Sequence, residues 1–592
     1  MHCARHLATS LLGLTLAASV AGAQGPLNQY GNPPTLTPRP TRSAIDEQDL
    51  RTRIYTFADD SMQGRQIGRA GNLKGTDYIA RELQRLGLVP AGDDGTYFQV
   101  LPYHLHEITK HSRLTANGNP FTWLKDWVAV PGSRAPRAVA DAEVIFGGVE
   151  GDTTRQISAA QAAGKVVVLL PGDRPATPAR GRGPMAPSRF EHAAAVAVAD
   201  LDALPMEQRA SVARPEVATN SAAMPRMRPA APGEPVDSLA LARQMVRLLA
   251  PPASIRMTRE AAARLFNRTT LDGMAPGSSA GTRVTATIDF LTLPSGYARN
   301  VVAIIPGSDP VLRNQYVAVG AHNDHVGFAT PVDKDSIRAF NIVRNRMLLA
   351  NDMITLTPEQ LASIRVNMDS IRRVHPVARL DSINNGADDD GSGSMGVLEI
   401  AEAIQAMPVK PKRSTLFVWH TGEEAGLIGS AYFTANPTVP LDSIVTQINV
   451  DMIGRGRAED IPGGGPNYLG VVGSSFDSRD LGELVEAVNR KQRDPLKLDH
   501  RYDTTLTWSG YNNIYGRSDH YMYALKGIPI AFFFTGLHGD YHQRSDEPEY
   551  LDYPHYTKIT RYIGDLVVEV GNAPRPRING TRPARPTRPA VP

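Results

Sequence analysis

Five short stretches of this 592-residue chain carry metal-binding side chains next to runs that read as regular structure. Val317-Ala318-Val319-Gly320 leads into Ala321-His322-Asn323-Asp324-His325, and Leu416-Phe417-Val418-Trp419 leads into His420-Thr421-Gly422-Glu423-Glu424. Gln447-Ile448-Asn449-Val450 ends at Asp451, and Ile530-Ala531-Phe532-Phe533-Phe534 is followed by a loop that reaches Tyr541-His542. Asp388-Asp389-Asp390-Gly391-Ser392-Gly393 stands before a helical pattern that begins at Met395. Each signal is weak alone. A histidine after a strand is more often a hydrogen-bonded structural residue, and an Asp run before a helix is more often a cap. The coincidence is stronger than its parts, because ligands of open α/β sheets bind beyond the carboxyl ends of the strands. Two histidines and three carboxylates brought to one edge suit two Zn²⁺ ions sharing a carboxylate. The only cysteine is Cys3, so nitrogen and oxygen donors must supply any such site.

The elements that must position these residues are legible from hydrophobic patterning. Strands are predicted at Asn300–Ile305, Tyr316–Gly320, Thr415–Trp419, Val445–Val450 and Ile528–Phe534, with helices at Met395–Ile404, Asp480–Lys491 and Tyr556–Val570. Such alternation favours a sheet covered by helices on both faces. Earlier in the chain, Ile45–Phe57 and Thr76–Leu88 read as amphipathic helices. The texture changes near residue 126. Asp126–Gly132, Ala142–Gly148 and Gly164–Leu170 read as strands, the last after an alanine-rich helix at Ser158–Ala163, and Arg283–Leu293 reads as one long strand. An inserted domain is therefore expected over 126–285, splitting a larger domain of 44–125 and 286–572, with a mobile Ala/Pro/Arg-rich segment at 174–228.

The ends are set apart by composition. Leu7–Val20 is apolar behind Arg5 and His6, and Ala21-Gly22-Ala23 offers a cleavage site, so residues 1–23 are expected to be a secretory signal. Residues 24–43 read as a flexible leader and 573–592 as a disordered Pro/Arg tail. No other run is long and apolar enough to span a bilayer. A net charge of +3 gives no electrostatic case for nucleic acid. The expectation is an exported protein without stable membrane insertion; the oligomeric state is not encoded in these patterns.

The motifs together resemble the zinc aminopeptidases of the aminopeptidase-S and aminopeptidase-Y type, family twenty-eight of the metallopeptidases. The resemblance is carried by GRAGNLKGTDYIARELQRLGLVPAGDDGTYFQ, GAHNDHVG, NNGADDDGSGSMGVLEIAEAI, HTGEEAGLIGSAYF, NVDMIG, RSDHYMYALKGIPIAFFFTG and DYHQRSDE, and covers about residues 45–115 and 296–572. It implies an α/β fold with a mixed central sheet flanked by helices, the zinc aminopeptidase-like phosphorylase/hydrolase fold. The 126–285 segment with GKVVVLL is similar to the β-rich protease-associated domain that many members carry. The resemblance implies that His322 and Asp451 hold one zinc ion, Glu424 and His542 the other, and that Asp389 bridges them. It makes Glu423 the general base, Asp324 the residue that orients His322, and Tyr541 an oxyanion donor. Asp390 would follow a cis peptide. Peptides or proteins would be the substrates, cut by water activated at the two-metal centre.

Two departures stand out. The segment between His322 and Asp389 carries a helical insert at about 338–378, readable either as a cap on the site or as an appendage. His325 and His538 lie near ligand positions without matching them and read as pocket residues, and His520 has no assigned role. Aminopeptidase activity leads the alternatives. The others are a carboxypeptidase or dipeptidase on the same scaffold, a glutaminyl cyclase with one zinc, and a receptor-like member without metals.

Overall fold

The computed structural model describes residues 30–579, leaving out 132–135, 151, 173–188, 205, 210–211, 213–215, 220–249, 295–296, 351–355 and 503–513. The predicted signal 1–23, most of the segment 174–228 and the tail beyond 579 lie outside the described residues.

The central sheet contains nine strands: β1 (Val89–Pro90), β2 (Phe98–Val100), β3 (Arg299–Ile305), β4 (Tyr316–His322), β5 (Ser414–His420), β6 (Ile444–Val450), β7 (Tyr468–Val472), β8 (Lys497–Asp499) and β9 (Ile530–Phe534). Their order is β1-β3-β5-β4-β6-β9-β7-β8, with β2 also paired to β3. The middle four, β5-β4-β6-β9, are parallel, while β3 runs antiparallel to β5, β7 runs antiparallel to β9, and β8 is parallel to β7. Parallel strands in the middle put four carboxyl ends at one edge. The short strands β7 and β8, whose hydrophobic runs are brief, went unread in the sequence.

Alternation along each strand builds a core on each face. Val317, Val319 and Ala321 of β4, with Phe417 and Trp419 of β5, enter the larger core. That core is closed by α1 (Glu47–Phe57), α2 (Ala70–Leu86), α4 (Gly393–Ala406), α5 (Arg479–Lys491) and α6 (Tyr553–Asn572), leaving the label α3 for the insert helix Lys334–Ala350. Ala318, Leu416 and Val418 point the other way, against the short helices Ile428–Ala435 and His520–Leu525. The Asp46 side chain caps α1 by accepting from Asp49 N–H, and Gly87 ends α2 in the left-handed conformation at φ 73°.

The β-rich insertion is wider than the expected 126–285. Strands from Tyr103–Ile108 to Phe290–Pro294 pair only among themselves, in an eight-stranded and a three-stranded sheet. The early strands Arg113–Ala116 and Asn119–Phe121 are short and partly polar, which hid them. The stretch 283–293, read as one strand, is two. Arg283–Thr287 and Phe290–Pro294 belong to different sheets. The chain breaks at Asp289, whose carbonyl accepts from Thr109 N–H at 2.8 Å and whose N–H donates to Ser112 Oγ at 3.0 Å.

Composition also misread residues 30–43. They lack regular secondary structure, as their prolines require, but they are fastened. Asn32 Nδ2 donates to the carbonyls of Glu549 and Leu551, and Thr41 Oγ1 donates to Glu402 at 2.7 Å. Residues 573–579 are pinned similarly, through Arg577 to Asp480 and Asn579 to the carbonyls of Ser475 and Phe476.

Candidate metal centre

The carboxyl ends of β4, β5, β6 and β9 and the N-terminus of α4 meet at one place. His322 is the last residue of β4, Asp451 follows β6, Glu424 lies in the loop after β5 and His542 in the loop after β9. His322 Nε2 stands 3.2 Å from Asp389 Oδ1 and 3.7 Å from Asp451 Oδ1. His542 Nε2 stands 3.0 Å from Asp389 Oδ2 and 2.9 Å from Glu424 Oε2. Asp389 thus turns one oxygen to each histidine. All five residues named from the sequence come together.

The acidic triplet sorts itself by hydrogen bonding. Asp390 Oδ2 accepts from His322 N–H at 2.9 Å, and its Oδ1 accepts from Gly393 and Met452 N–H. Asp388 Oδ1 accepts from Gly454 N–H and Ser392 Oγ at 2.7 Å each. The flanking aspartates therefore knit backbone, and Asp389 is left facing the histidines. The 389–390 peptide is cis. Gly393 is required here, because a Cβ would lie 2.1 Å from Asp390 Oδ1 and 2.2 Å from the Val450 carbonyl.

Asp324 stands behind the His322 imidazole. Its backbone carbonyl is the nearest acceptor to His322 Nδ1, at 3.0 Å, with the carboxylate at 3.6 Å. The same Asp324 carboxylate oxygen also accepts from Glu423 N–H at 3.1 Å. It ties the loop bearing the candidate base to the strand end bearing His322.

The field at the centre is strongly acidic. Burial opposes charge on His322, but Asp451, Asp324 and Asp389 outweigh it and raise the imidazole well above its usual range. Burial likewise opposes His542, yet Glu424 and Asp389 lift it to about 10. Burial works to raise Glu424, but His542 and His325 bring it down to about 2. His322 Nε2, Asp389 Oδ2, Asp451 Oδ1, Glu424 Oε1 and His542 Nε2 are all buried without a hydrogen-bond partner. Unsatisfied donors and acceptors this deep are rare unless something else satisfies them. Three carboxylates and two imidazoles converging in this way fit two divalent cations that share Asp389.

Glu423 is half-buried beside Glu424. Burial raises its carboxyl well above the usual range, and Glu424 and Asp451 add to this while His322 opposes it. The Tyr541 ring stacks on His542 at 3.8 Å between centroids, and its hydroxyl accepts from Arg517 at 3.5 Å. His538 Nε2 faces Asp388 Oδ2 at 3.1 Å, with no hydrogen bond between them. His520 is not at the centre; it stacks on Phe532 and its Nε2 meets the Tyr515 carbonyl at 2.7 Å.

Several supporting residues escaped the sequence reading. Asp546 accepts from the backbone N–H of Asp388 and Asp389, and Ser518 donates to Asp451 Oδ2 at 2.8 Å. Both lie inside stretches that carried the resemblance, RSDH and HQRSDE, but their role depends on distant pairing. Arg65 is fully buried and donates to the carbonyls of Asn385 and Gly386, just before the triplet. The insert helix α3 grips the His542 loop. Arg338 pairs with Asp540, Arg344 donates to the Gly539 carbonyl at 2.8 Å, and Asn341 donates to Ser545 Oγ at 3.1 Å.

Residues 300–567 match the sequence profile of peptidase family M28. That match covers just under half of the chain. The M28 match contains every residue of the centre named above except Arg65. Relatives include leupeptin-inactivating enzyme 1 of Streptomyces exfoliatus, 31% identical over 167 residues, which is 27% of this chain and 32% of that protein. Another is a probable leucine aminopeptidase 2 of Aspergillus oryzae, 32% identical over 164 residues, 26% of this chain and 28% of that protein. The matched stretch thus spans about a third of the length of these curated relatives. Among solved structures, a zinc aminopeptidase from Bacillus subtilis aligns over 90% of this chain and 96% of its own, with 16% identity and a TM-score of 0.48.

Proposed function

We propose that this protein is an exported two-zinc aminopeptidase that releases N-terminal residues from peptides. The observation that carries the reading is the division of Asp389, with Oδ1 toward His322 and Oδ2 toward His542. A bridging carboxylate between two His/carboxylate sets is the donor arrangement of a dinuclear hydrolytic centre. Relatives named as leucine aminopeptidases support the choice among peptidases. One zinc ion would be held by His322, Asp451 and Asp389, the other by His542, Glu424 and Asp389. When bound, the ions supply Lewis acidity that makes water nucleophilic and polarises the scissile carbonyl.

The chain's own groups do the rest. Glu423, whose carboxyl burial raises above the usual range, is the group placed to take a proton from water and return it to the leaving amine. Its position depends on Asp324, which holds its backbone N–H. Glu424 turns its oxygens to the histidines and is not free for that task. Tyr541, anchored over His542, offers its hydroxyl to the developing oxyanion. The unit between residues 103 and 294 is read as the protease-associated domain anticipated from GKVVVLL. Export rests on the signal pattern of residues 1–23; a mature N-terminus at Gln24 in the secreted fraction is the expected result.

The test of the reaction is direct. Glu423→Gln should keep its zinc while kcat falls by about 10²–10⁴-fold, the usual contribution of a general base. Zinc-loaded wild-type protein should cleave peptides with a free α-amine and leave N-acetylated ones intact. Cleavage of blocked peptides alone would rule out the aminopeptidase reading.

A further inference from the structure

The centre contains a sixth converging side chain. His325 is buried, with its side chain 0% exposed, at the end of the segment His322-Asn323-Asp324-His325. Its backbone is fixed from outside the loop, because its N–H donates to the Arg65 carbonyl at 3.1 Å. Its Nδ1 lies 2.9 Å from Glu424 Oε1 and 3.7 Å from Asp389 Oδ2. The three groups form a cluster with the spacing of metal donors, which shares Asp389 with the cluster of His322, Asp389 and Asp451.

The contact with Glu424 is close but is not a hydrogen bond. His325 Nδ1 and Glu424 Oε1 are both buried without a hydrogen-bond partner, and so is His325 Nε2. Two unsatisfied nitrogens on one buried imidazole are rare unless something else satisfies them. Two donors each about 2.0–2.1 Å from one tetrahedral zinc ion stand about 3.3 Å apart. The separations from His325 to Glu424 and Asp389, 2.9 and 3.7 Å, lie on either side of that value. The His325 and His542 rings meet edge to face at 5.6 Å, so both imidazoles border the same carboxylates. Glu424 serves them separately, with Oε1 toward His325 and Oε2 toward His542.

We infer that His325 is a protein ligand to the cation held by Asp389, Glu424 and His542, which gives that position two imidazoles where the His322 position has one. The inference rests on the two-metal reading. Its consequence is that the two positions are unequal. Imidazole suits zinc and other late first-row ions better than carboxylate alone, so the His325 position should fill first.

The deciding experiment uses the full chain with Co²⁺ as the probe. Each coordinated imidazole keeps one ring N–H, which gives a strongly shifted, solvent-exchangeable proton resonance. Wild-type protein titrated with Co²⁺ should bind two ions and show three such resonances. His325→Ala should lose one resonance and weaken the tighter of the two binding steps at least tenfold. Two resonances in the wild type, with two ions bound, would overturn the role of His325 and leave the two-metal centre standing. No Co²⁺ bound at all would overturn both. The wild-type count decides even if the alanine variant fails to fold.

Discussion

Three aspartates stand in a row at 388–390, and their chemistry differs because their hydrogen bonds differ. Asp390 satisfies three backbone N–H groups, while Asp389 turns its oxygens to histidines. Asp390→Asn should therefore cost stability, about 1–3 kcal/mol for each buried donor left unpaired, measured by chemical denaturation of the metal-free protein. Asp389→Asn should leave that metal-free stability nearly unchanged and abolish tight metal binding. Equal destabilisation by the two would refute the division of labour. A second residue-scale prediction concerns Arg53, whose guanidinium is buried among Glu82, Glu399 and Glu402. Arg85 also pairs with Glu82 and Glu402, while Glu399 pairs with Arg53, and burial raises the Glu399 carboxyl to about 7 against the pull of Arg53. The folded state then binds a proton that the unfolded chain releases from about 4.5 upward. This contribution to stability is complete below that pH and is lost as pH rises through about 7. Thermal unfolding of wild type should weaken over that window relative to Glu399→Gln. Parallel pH profiles would show that Glu399 ionises normally.

At the scale of elements, the insert helix α3 is explained by what it grips. Arg338 pairs with Asp540, which also meets Arg455 at 3.2 Å, and Arg455 is paired with Asp460 at 2.6 Å. Asp540 lies two residues before His542, so the buried network fixes the approach of that ligand. Breaking a buried pair by removing one partner costs about 3–5 kcal/mol. Arg338→Met should lose stability of that order and also weaken metal retention against a chelator. Unchanged metal affinity in a folded Arg338→Met protein would reduce α3 to an appendage. The cap reading of the insert predicts something else, a change in the preference for long over short peptides. The apolar spacing over Pro358–Arg373 marks the insert as helical, but nothing in the sequence names the partner of α3. Asp540 sits about two hundred residues downstream, and nothing local in DYHQRSDE marks it as an anchor.

The whole molecule shows why some features were legible and others not. The parallel strands β4, β5, β6 and β9 are buried on both faces, so their apolar runs are dense and each ends at a polar residue; this made His322, Glu424, Asp451 and the His542 loop visible. Short strands such as β7 and the edge strand β8, and the small strands of the inserted unit, gain their pairing from distant segments. Supports such as Arg65, Asp546 and Ser518 were missed for the same reason. His325 was read as a pocket residue because no spacing rule assigns it; only the shared approach to Glu424 does. Among the described residues no helix is long and apolar enough to cross a membrane. The central claim, two cations on one shared aspartate, is tested most directly by anomalous diffraction at the zinc edge from crystals of the zinc-loaded protein. The account predicts two peaks about 3.5–4 Å apart, one on each side of the Asp389 carboxylate. A single peak, or peaks away from Asp389, would contradict it.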